Sequence, residues 1–264
     1  MRAGASAIAR ALRGIPAALL LTLSAWLLPV PALADEPAPR MVIIIDDLGN
    51  NRRLGEAAIN LPGNLTFSVL PGLPWSTHLA ELAHATGREV MLHMPMDNHG
   101  QFPLGPMGLK HDMAPTQWRS ILEQALSDVP HASGLNNHMG SLLTEYSEPM
   151  EVVMEALAGR DLYFIDSVTS SDSVAYATAR AHGIPALRRH VFLDHEQTDA
   201  FISGQFGQAL GIMERQGWVI LIGHPYPETI DFLNWVLPLL DETGVEVVTP
   251  SELILSQRRL TRAD

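Results

Sequence analysis

The sequence contains no cysteine, and this absence removes several kinds of protein from consideration. Without thiols the chain can form neither a disulfide framework nor a lipid anchor attached to cysteine. A transition-metal site would have to be built from histidine and carboxylate side chains. Both are available, because the 264 residues include 11 His and 29 Asp or Glu residues.

Basic side chains are scarce relative to acidic ones. The chain has 17 Lys and Arg residues against 29 Asp and Glu residues, and its formal net charge is −12 at pH 7. Proteins that bind nucleic acids need clustered Lys and Arg side chains to neutralise phosphates. We therefore expect no nucleic-acid partner.

The N-terminal apolar segment is too short for a comfortable membrane span. Residues 15–28 form this segment, whereas a spanning helix needs about 20 apolar residues. Three arginines precede it, and Pro31–Ala34 follows it with small residues suited to signal-peptidase cleavage. This pattern predicts a signal peptide over residues 1–34, a domain over residues 35–264, export to the periplasm, and no stable membrane span after cleavage. A retained N-terminal anchor is the alternative.

Eight strand-like runs separated by helical patterns predict a single α/β domain with a parallel sheet covered by helices. The predicted strands are residues 41–45, 65–70, 89–93, 132–136, 161–165, 184–187, 217–222 and 245–248. The sixth can extend to residue 193. We expect a TIM-like (β/α) barrel, either complete or incomplete and distorted, and a doubly wound open sheet is the alternative.

Three local signals mark helix starts. Asn50 follows the turn after the first strand and is expected to cap the next helix. Pro149 suits the first position of a helix, because a proline there loses no backbone hydrogen bond. Thr249–Glu252 has the pattern of a capping box ahead of the last helix.

Ionisable and amide side chains stand where the predicted strands end. In a parallel α/β barrel the carboxyl ends of all strands meet at one face, where catalytic groups cluster. A long Pro- and Gly-rich connection, residues 94–115, borders the same face and is expected to be functional. The sixth run ends in Arg188 or Arg189, or in Asp194 if the strand continues to residue 193. The other candidates are Asp46, Asp47, His93, Asn137, His138, Asp166 and His224.

This set of side chains suits metal-assisted hydrolysis. Two neutral imidazoles and one carboxylate can hold Zn²⁺ or a similar divalent ion and leave a position for water. Such an ion lowers the pKa of the water and polarises a substrate carbonyl. A second carboxylate can take up the proton, and a further histidine can protonate the leaving group.

As a set, the strand-end motifs resemble those of the divergent polysaccharide deacetylases, the YibQ-like branch of the NodB-type carbohydrate esterase superfamily. The resemblance covers nearly the whole predicted domain, from about Val42 to about Leu253. The segments that carry it are Ile45–Gly49, Leu92–Met96, Asn136–Ser141, Phe164–Ser167 and Gly223–Pro225.

The resemblance implies a periplasmic, metal-dependent hydrolase that removes acetyl groups from an N-acetylated envelope polysaccharide. It makes Asp46 the catalytic base and His224 the catalytic acid. It makes Asp47, His93 and His138 the ligands of a divalent metal, for which Zn²⁺ is expected.

The remaining candidates and two missing motifs leave alternatives open. Asn137 and Asp166 are expected to support the ligands or to contact substrate, and Asp166 can equally orient a neighbouring histidine. The sequence has neither the His-x-x-x-His metal motif nor the Arg-x-Pro-x-Gly motif of the wider superfamily. A carbohydrate-binding or scaffold barrel with weak or absent turnover is therefore a second hypothesis. A glycosidase using Asp46 and Asp166 is a third.

Overall fold

The computed structural model describes residues 38–263, with side chains up to residue 259. The predicted signal peptide, residues 1–34, lies outside the described residues. Among the helices that are described, none combines the length and the apolar character needed to cross a bilayer.

Over residues 38–263, nine strands form one sheet. Their bounds are β1 Arg40–Leu48, β2 Thr66–Val69, β3 Glu89–Met96, β4 Ala132–Met139, β5 Tyr163–Asp166, β6 Ala186–Arg188, β7 Val191–Phe192, β8 Trp218–Gly223 and β9 Glu246–Val247. Eight α-helices lie between and after them in the same part of the chain. Their bounds are α1 Arg52–Ile59, α2 Ser76–Ala85, α3 Pro115–Asp128, α4 Ser147–Leu157, α5 Ala175–Ala181, α6 Asp199–Gln216, α7 Pro227–Glu242 and α8 Pro250–Ala263.

The strand order is that of an incomplete barrel. The hydrogen-bonded order is β6-β5-β4-β3-β2-β1-β8-β7, and every pairing is parallel. From β1 to β6 each strand lies beside its neighbour in the chain, and β8 returns to β1 with β7 on its other side. A doubly wound sheet instead reverses its order at a switch point. Within the described residues β6 and β7 are not paired with each other, so the barrel has an open seam between them. The predicted single-domain (β/α) barrel, incomplete and distorted, is confirmed.

Alternate residues of the strands face two different cores. On β1, Met41 and Ile43 pack with the helices in the outer core, whereas Val42 and Ile44 belong to a smaller inner core. The inner core draws on β1, β3, β5, β6 and β8 together, which places it inside the curved sheet. The alternation follows from the two-residue period of a strand, and it determines which polar residues at the strand ends point into the barrel.

Helix α8 covers the amino-terminal end of the barrel interior. Leu253 and Ile254 of α8 pack into the inner core. The predicted capping box begins this helix: the backbone N–H of Glu252 donates to Thr249 Oγ1 (3.3 Å), and the backbone N–H of Thr249 donates to Glu252 Oε2 (2.9 Å). The opposite end, where the strands terminate, bears the predicted site residues.

Two predicted helix starts were wrong by one or two positions. Asn51 rather than Asn50 caps α1, because the helix begins one residue later than expected and the Asn51 side chain accepts the backbone N–H of Leu54 (3.1 Å). Pro149 is the third residue of Ser147–Leu157 rather than the first. The whole first turn lacks intrahelical acceptors for its N–H groups, so a proline is tolerated there as well.

The sixth predicted strand is two short strands at opposite edges of the sheet. β6 pairs with β5, and β7 pairs with β8, so the open seam falls between residues 188 and 191. Arg189 lies in this seam and donates to the backbone oxygens of Ser167 (2.6 Å) and Val168 (2.8 Å). These bonds satisfy carbonyl groups at the seam, where regular strand pairing is interrupted.

Candidate metal centre and active site

The alternation of the strands brings three predicted residues to the barrel interior. Asp46 lies two residues after Ile44 on β1, and His93 lies two residues after Met91 on β3, both beyond inner-core positions. His224 continues the inward series of β8 by one position past the strand end. The period of the strands therefore aims a carboxylate and two imidazoles at one space.

Asp47 joins this group through an unusual backbone conformation. Strict alternation would turn its side chain to the outer face, but its φ of 61° is left-handed, and the pairing of β1 with β2 shifts register between Ile45 and Leu48. Asp tolerates this conformation better than most residues, and such conformations are concentrated at functional sites. As a result, Asp47 Oδ1 lies 2.8 Å from Nδ1 of His138 and 3.1 Å from Nε2 of His93.

Asp47, His93 and His138 form a compact triangle of possible metal ligands, which we call the ligand triangle. Nδ1 of His138 lies 3.2 Å from Nε2 of His93, and the three ligand atoms all lie within 4.8 Å of one another. In a tetrahedral zinc site with bonds of 2.0–2.1 Å, the ligand atoms are about 3.3 Å apart. The observed separations of 2.8, 3.1 and 3.2 Å fit a small divalent ion with little movement.

An unsatisfied oxygen supports this fit. Asp47 Oδ1 is buried and has no hydrogen-bond donor among the described residues, although two ring nitrogens lie close to it. A buried carboxylate oxygen without a partner is costly, and a cation bound by the triangle would satisfy it. Burial alone would raise the pKa of Asp47, but the nearby imidazoles of His138 and His93 hold that pKa well below its usual range. The carboxylate is therefore ionised and suited to a metal.

Asn136, which is not among the sequence-based candidates, joins the ligand triangle to Asp46. Its Oδ1 accepts from Nδ1 of His93 (2.8 Å) and from Ser68 Oγ (2.5 Å). Its Nδ2 donates to both carboxylate oxygens of Asp46, at 2.9 and 3.1 Å. Asn136 and His93 are directly paired between β4 and β3, so their side chains point to the same side of the sheet.

Asp46 is buried beside the ligand triangle without belonging to it. Its Oδ2 lies 3.6 Å from Nε2 of His93. Burial raises the pKa of Asp46, and the charges of His93 and His224 offset only part of this rise. A carboxylate with a raised pKa is a stronger proton acceptor, which suits the base role expected for it.

His224 is held by Asp194, which the sequence offered only as one of three possible ends of the sixth run. Asp194 Oδ1 lies 2.8 Å from the His224 Nδ1, while Oδ2 accepts from the backbone N–H of His224 (2.6 Å) and from Thr229 Oγ1 (2.7 Å). Burial lowers the pKa of His224, but Asp194, aided by the charges of Asp47 and Asp46, raises it to about 9. His224 is therefore protonated at neutral pH, and its Nε2 lies 3.8 Å from Asp47 Oδ2.

Comparison with known proteins identifies the family. Residues 43–254 match the sequence profile of the family described as divergent polysaccharide deacetylase. The chain belongs to this family. It is 36% identical over 226 residues to the uncharacterized protein YibQ of Escherichia coli K12. That alignment covers 81% of this chain and 71% of YibQ. It is 34% identical over 203 residues to an uncharacterized protein of Haemophilus influenzae Rd, which covers 77% of this chain and 72% of that protein.

The barrel also has a solved counterpart. A crystal structure of an uncharacterized protein from Agrobacterium tumefaciens C58 superposes with a TM-score of 0.79 at 24% identity. The superposition covers 83% of this chain and 91% of that protein. At this identity the likeness shows a shared fold, so the site of this divergent polysaccharide deacetylase is argued from its own residues.

Asn137 and Asp166 lie outside the ligand triangle of this deacetylase-family chain. Asn137 Oδ1 accepts from the backbone N–H of Ser167 (2.9 Å), which ties the end of β4 to the loop after β5. Asp166 is buried and accepts from Ser173 Oγ (3.0 Å), and the hydrogen bonds described for it involve no histidine. Among the described contacts, it is Asp194 that orients His224. The predicted roles of Asn137 and Asp166 toward substrate stay predictions.

A cavity of about 170 Å³ opens beside the ligand triangle. Asp47 and His138 line one side of it. Apolar side chains also line it, and they include Leu70, Leu73, Pro95, Pro103, Leu104 and Pro106. The Pro- and Gly-rich connection after β3 thus forms part of the wall, as expected for a loop at the carboxyl ends of the strands.

Sequence signals for Asn136 and Asp194 existed but were weak. Asn136 is a polar residue at an inward position of a strand that is otherwise buried, and such residues need partners. Asp194 was a candidate only if the sixth strand continued through Val191–Leu193, and the structure divides that run into two strands. Neither signal specifies a partner, because the partners lie on other strands.

Proposed function

We propose that this protein is a metal-dependent hydrolase that removes acetyl groups from N-acetylated sugars of an envelope polysaccharide. The observation that carries the proposal is the ligand triangle with a buried carboxylate, Asp46, on one side and a protonated imidazole, His224, near the other. Membership of the divergent polysaccharide deacetylase family supports this substrate class.

The residues suit hydrolysis of an acetamide. A divalent ion held by Asp47, His93 and His138, with Zn²⁺ preferred by this donor set, would activate a water molecule and polarise the acetyl carbonyl. Asp46 takes the proton of the attacking water, and a C–O bond forms as the carbonyl carbon becomes tetrahedral. His224 then donates a proton to the departing nitrogen as the C–N bond breaks. The products are acetate and a free amine on the sugar.

The adjacent cavity suits a small acyl group. Its volume of about 170 Å³ is below the roughly 300–1,000 Å³ of typical small-molecule sites. The leucine and proline side chains in its wall can contact a methyl group. We therefore assign the acetyl methyl to this cavity and the sugar chain to the more open face around it.

The proposed periplasmic location of the protein is inferred from the predicted signal peptide. Residues 1–34 have the basic, apolar and small-residue parts of a secretory leader. Export would place residues 35–264 in the periplasm, where envelope polysaccharides are accessible. Fractionation of cells that express the full chain tests this: the processed protein is expected in the periplasmic fraction, and an uncleaved protein in the membrane fraction would indicate a retained anchor.

The enzymatic test uses the purified domain, residues 35–264. Elemental analysis is expected to find about one divalent ion per chain, and acetate release from N-acetylglucosamine oligomers is expected to depend on added Zn²⁺. Asp47→Asn and His138→Ala are expected to lose both properties. His182→Ala is the matched control, because this histidine is exposed and bonds only the backbone of its own helix among the described contacts. Unchanged metal content in both site variants would exclude the proposed centre.

A second candidate function is favoured by the missing superfamily motifs. Without His-x-x-x-His and Arg-x-Pro-x-Gly, the barrel could bind glycans with little turnover. Binding of N-acetylglucosamine oligomers without acetate release, in a preparation with full zinc occupancy, would support this function over hydrolysis.

A further inference from the structure

Asn136 lies at the centre of the polar layer inside the barrel. It is completely buried and contacts residues of three other strands: Ser68 on β2, His93 on β3 and Asp46 on β1. It also lies 3.5 Å from Ser167 Oγ, just after β5. The amide therefore uses both lone pairs of its oxygen and has a partner for each N–H of its nitrogen.

The chemistry of the partners determines which way the amide faces. The Asn136 nitrogen faces Asp46 and donates to both of its carboxylate oxygens. The amide oxygen then faces His93 and Ser68, and both of these groups must donate to it. This orientation satisfies every member of the network, whereas a flipped amide would set its oxygen against the carboxylate.

This orientation has a consequence for His93. If Nδ1 donates its proton to Asn136, the neutral imidazole carries its lone pair on Nε2. Nε2 is the atom that lies 3.1 Å from Asp47 Oδ1 and 3.2 Å from Nδ1 of His138. A partner on the other ring nitrogen is what selects the tautomer of a metal-binding histidine.

The same amide restrains Asp46. Its nitrogen bridges the two carboxylate oxygens at 2.9 and 3.1 Å, so the carboxylate plane is held relative to His93. Rotation of Asp46 would break these bonds, and rotation of Asn136 would break the bond to His93. Asp46, the proposed base, and His93, a proposed ligand, are thus joined through the buried Asn136 side chain.

We propose that Asn136 is a positioning residue that selects the metal-binding tautomer of His93 and holds Asp46 in place as the proton acceptor. The metal and base roles rest on the proposed function, but the tautomer does not. Asn136 acts through its neighbours, since none of its described contacts is with the cavity beside the ligand triangle.

The first test needs neither metal nor activity. The ionised Asp47 carboxylate lies 3.1 Å from Nε2 and would itself favour a proton there in metal-free protein, so the comparison is made in the Asp47→Ala background. At a pH where His93 is neutral, ¹H–¹⁵N NMR reports which ring nitrogen carries the proton. With Asn136 present, the Nδ1–H tautomer is expected, and adding Asn136→Leu removes the acceptor and is expected to shift the equilibrium towards Nε2–H. His93 protonated on Nε2 in the Asp47→Ala protein would overturn the proposal even if the double variant fails to fold.

The second test measures Zn²⁺ affinity by competition with a chelating indicator. Asn136→Leu is expected to weaken zinc binding by about 10–100-fold. Asn136→Gln keeps an amide oxygen that can accept from His93 and an amide nitrogen that can donate to Asp46, so it is expected to lose less zinc affinity than Asn136→Leu. Asn98→Leu is the matched control, because Asn98 is a buried amide whose described contacts do not include His93 or Asp46.

The tautomer test and the zinc-affinity test separate this inference from the proposed function. Equal zinc affinity of Asn136→Leu and wild type, or a loss in Asn136→Gln as large as that in Asn136→Leu, would overturn the positioning role. If the wild type binds zinc but releases no acetate, the hydrolase proposal fails while the tautomer and affinity results still decide the role of Asn136 toward His93. If acetate is released, Asn136→Leu is expected to lower kcat by about 100-fold with little change in KM, because the amide does not face the substrate.

Discussion

Asp194 holds His224 through two different atoms of the histidine. One carboxylate oxygen lies 2.8 Å from the ring Nδ1, and the other accepts the His224 backbone N–H at 2.6 Å. The side chain and the main chain of the proposed acid are therefore fixed by one buried carboxylate. The ring can present Nε2 to the site without losing its partner, and the adjacent negative charge keeps it protonated.

Replacing this carboxylate should move the alkaline limb of the pH profile. The pKa of His224 is raised to about 9, and a general acid must carry its proton, so activity of the wild type is expected to fall as pH rises through about 9. Asp194→Asn removes the charge that raises the pKa and should move this limb towards about 6.5, the ordinary pKa of histidine. The dependence of kcat on pH gives the measurement.

Thr229→Val provides the matched comparison for that shift. Thr229 Oγ1 donates to the same Asp194 oxygen as the His224 backbone (2.7 Å) but does not touch the ring. We expect Thr229→Val to move the alkaline limb of the pH profile by less than Asp194→Asn does. An alkaline limb that is identical in wild type and Asp194→Asn would mean that His224 is not the acid.

Zinc should stabilise the wild-type protein but not a variant of the ligand triangle. A ligand that binds only the folded state at 100 times its Kd adds about 2.7 kcal/mol to the free energy of unfolding. Thermal unfolding with Zn²⁺ and with EDTA is therefore expected to give different Tm values for wild type and His182→Ala, and equal values for Asp47→Asn. A zinc-dependent Tm that survives Asp47→Asn would place the ion elsewhere.

The base and ligand roles of the adjacent aspartates should separate by substitution. Asp46→Asn is expected to lower kcat by about 10²–10⁴-fold, the usual contribution of a general base, while the protein still binds zinc. Asp47→Asn is expected to lose zinc. Measured kcat and metal content on the same preparations test this. Asp172→Asn is a suitable control, because that carboxylate is exposed, and equal metal loss in Asp46→Asn would contradict the assignment.

The inner core should matter to stability as much as an ordinary hydrophobic core. Ile44 is completely buried among the inner-core residues, so Ile44→Ala is expected to lower the free energy of unfolding by about 2–5 kcal/mol. Leu255→Ala on α8 should change it by less than about 0.5 kcal/mol, because that side chain is 53% exposed. Urea unfolding monitored by circular dichroism measures both. Equal effects would show that the inner layer is loosely packed.

The strand positions and the inward direction of several site residues could be predicted from the sequence. Val42, Ile44 and Asp46 share one face of β1 because the side chains of a strand alternate, and the same rule orients His93. The extra length of β1, β3 and β4 beyond the predicted ends did not alter this, since added residues keep the period. The parallel class followed from the alternation of strands and helices.

Other parts of the site depended on contacts that no local pattern contains. Asp47 points inward only because a left-handed φ interrupts the alternation of β1. Asn136 becomes important because β4 pairs with β3 in the register that sets it beside His93. Asp194 reaches His224 because the sixth run divides, with its second half joining β8.

By itself the sequence determined the parallel α/β class, the family resemblance and the side of each strand that carries polar groups, since these depend on short-range periodicity and on motif identity. Only the tertiary structure decided which oxygen and nitrogen atoms come within bonding distance. Separations of 2.8–3.2 Å between residues of different strands depend on strand register and order, and these are determined by packing of the whole sheet.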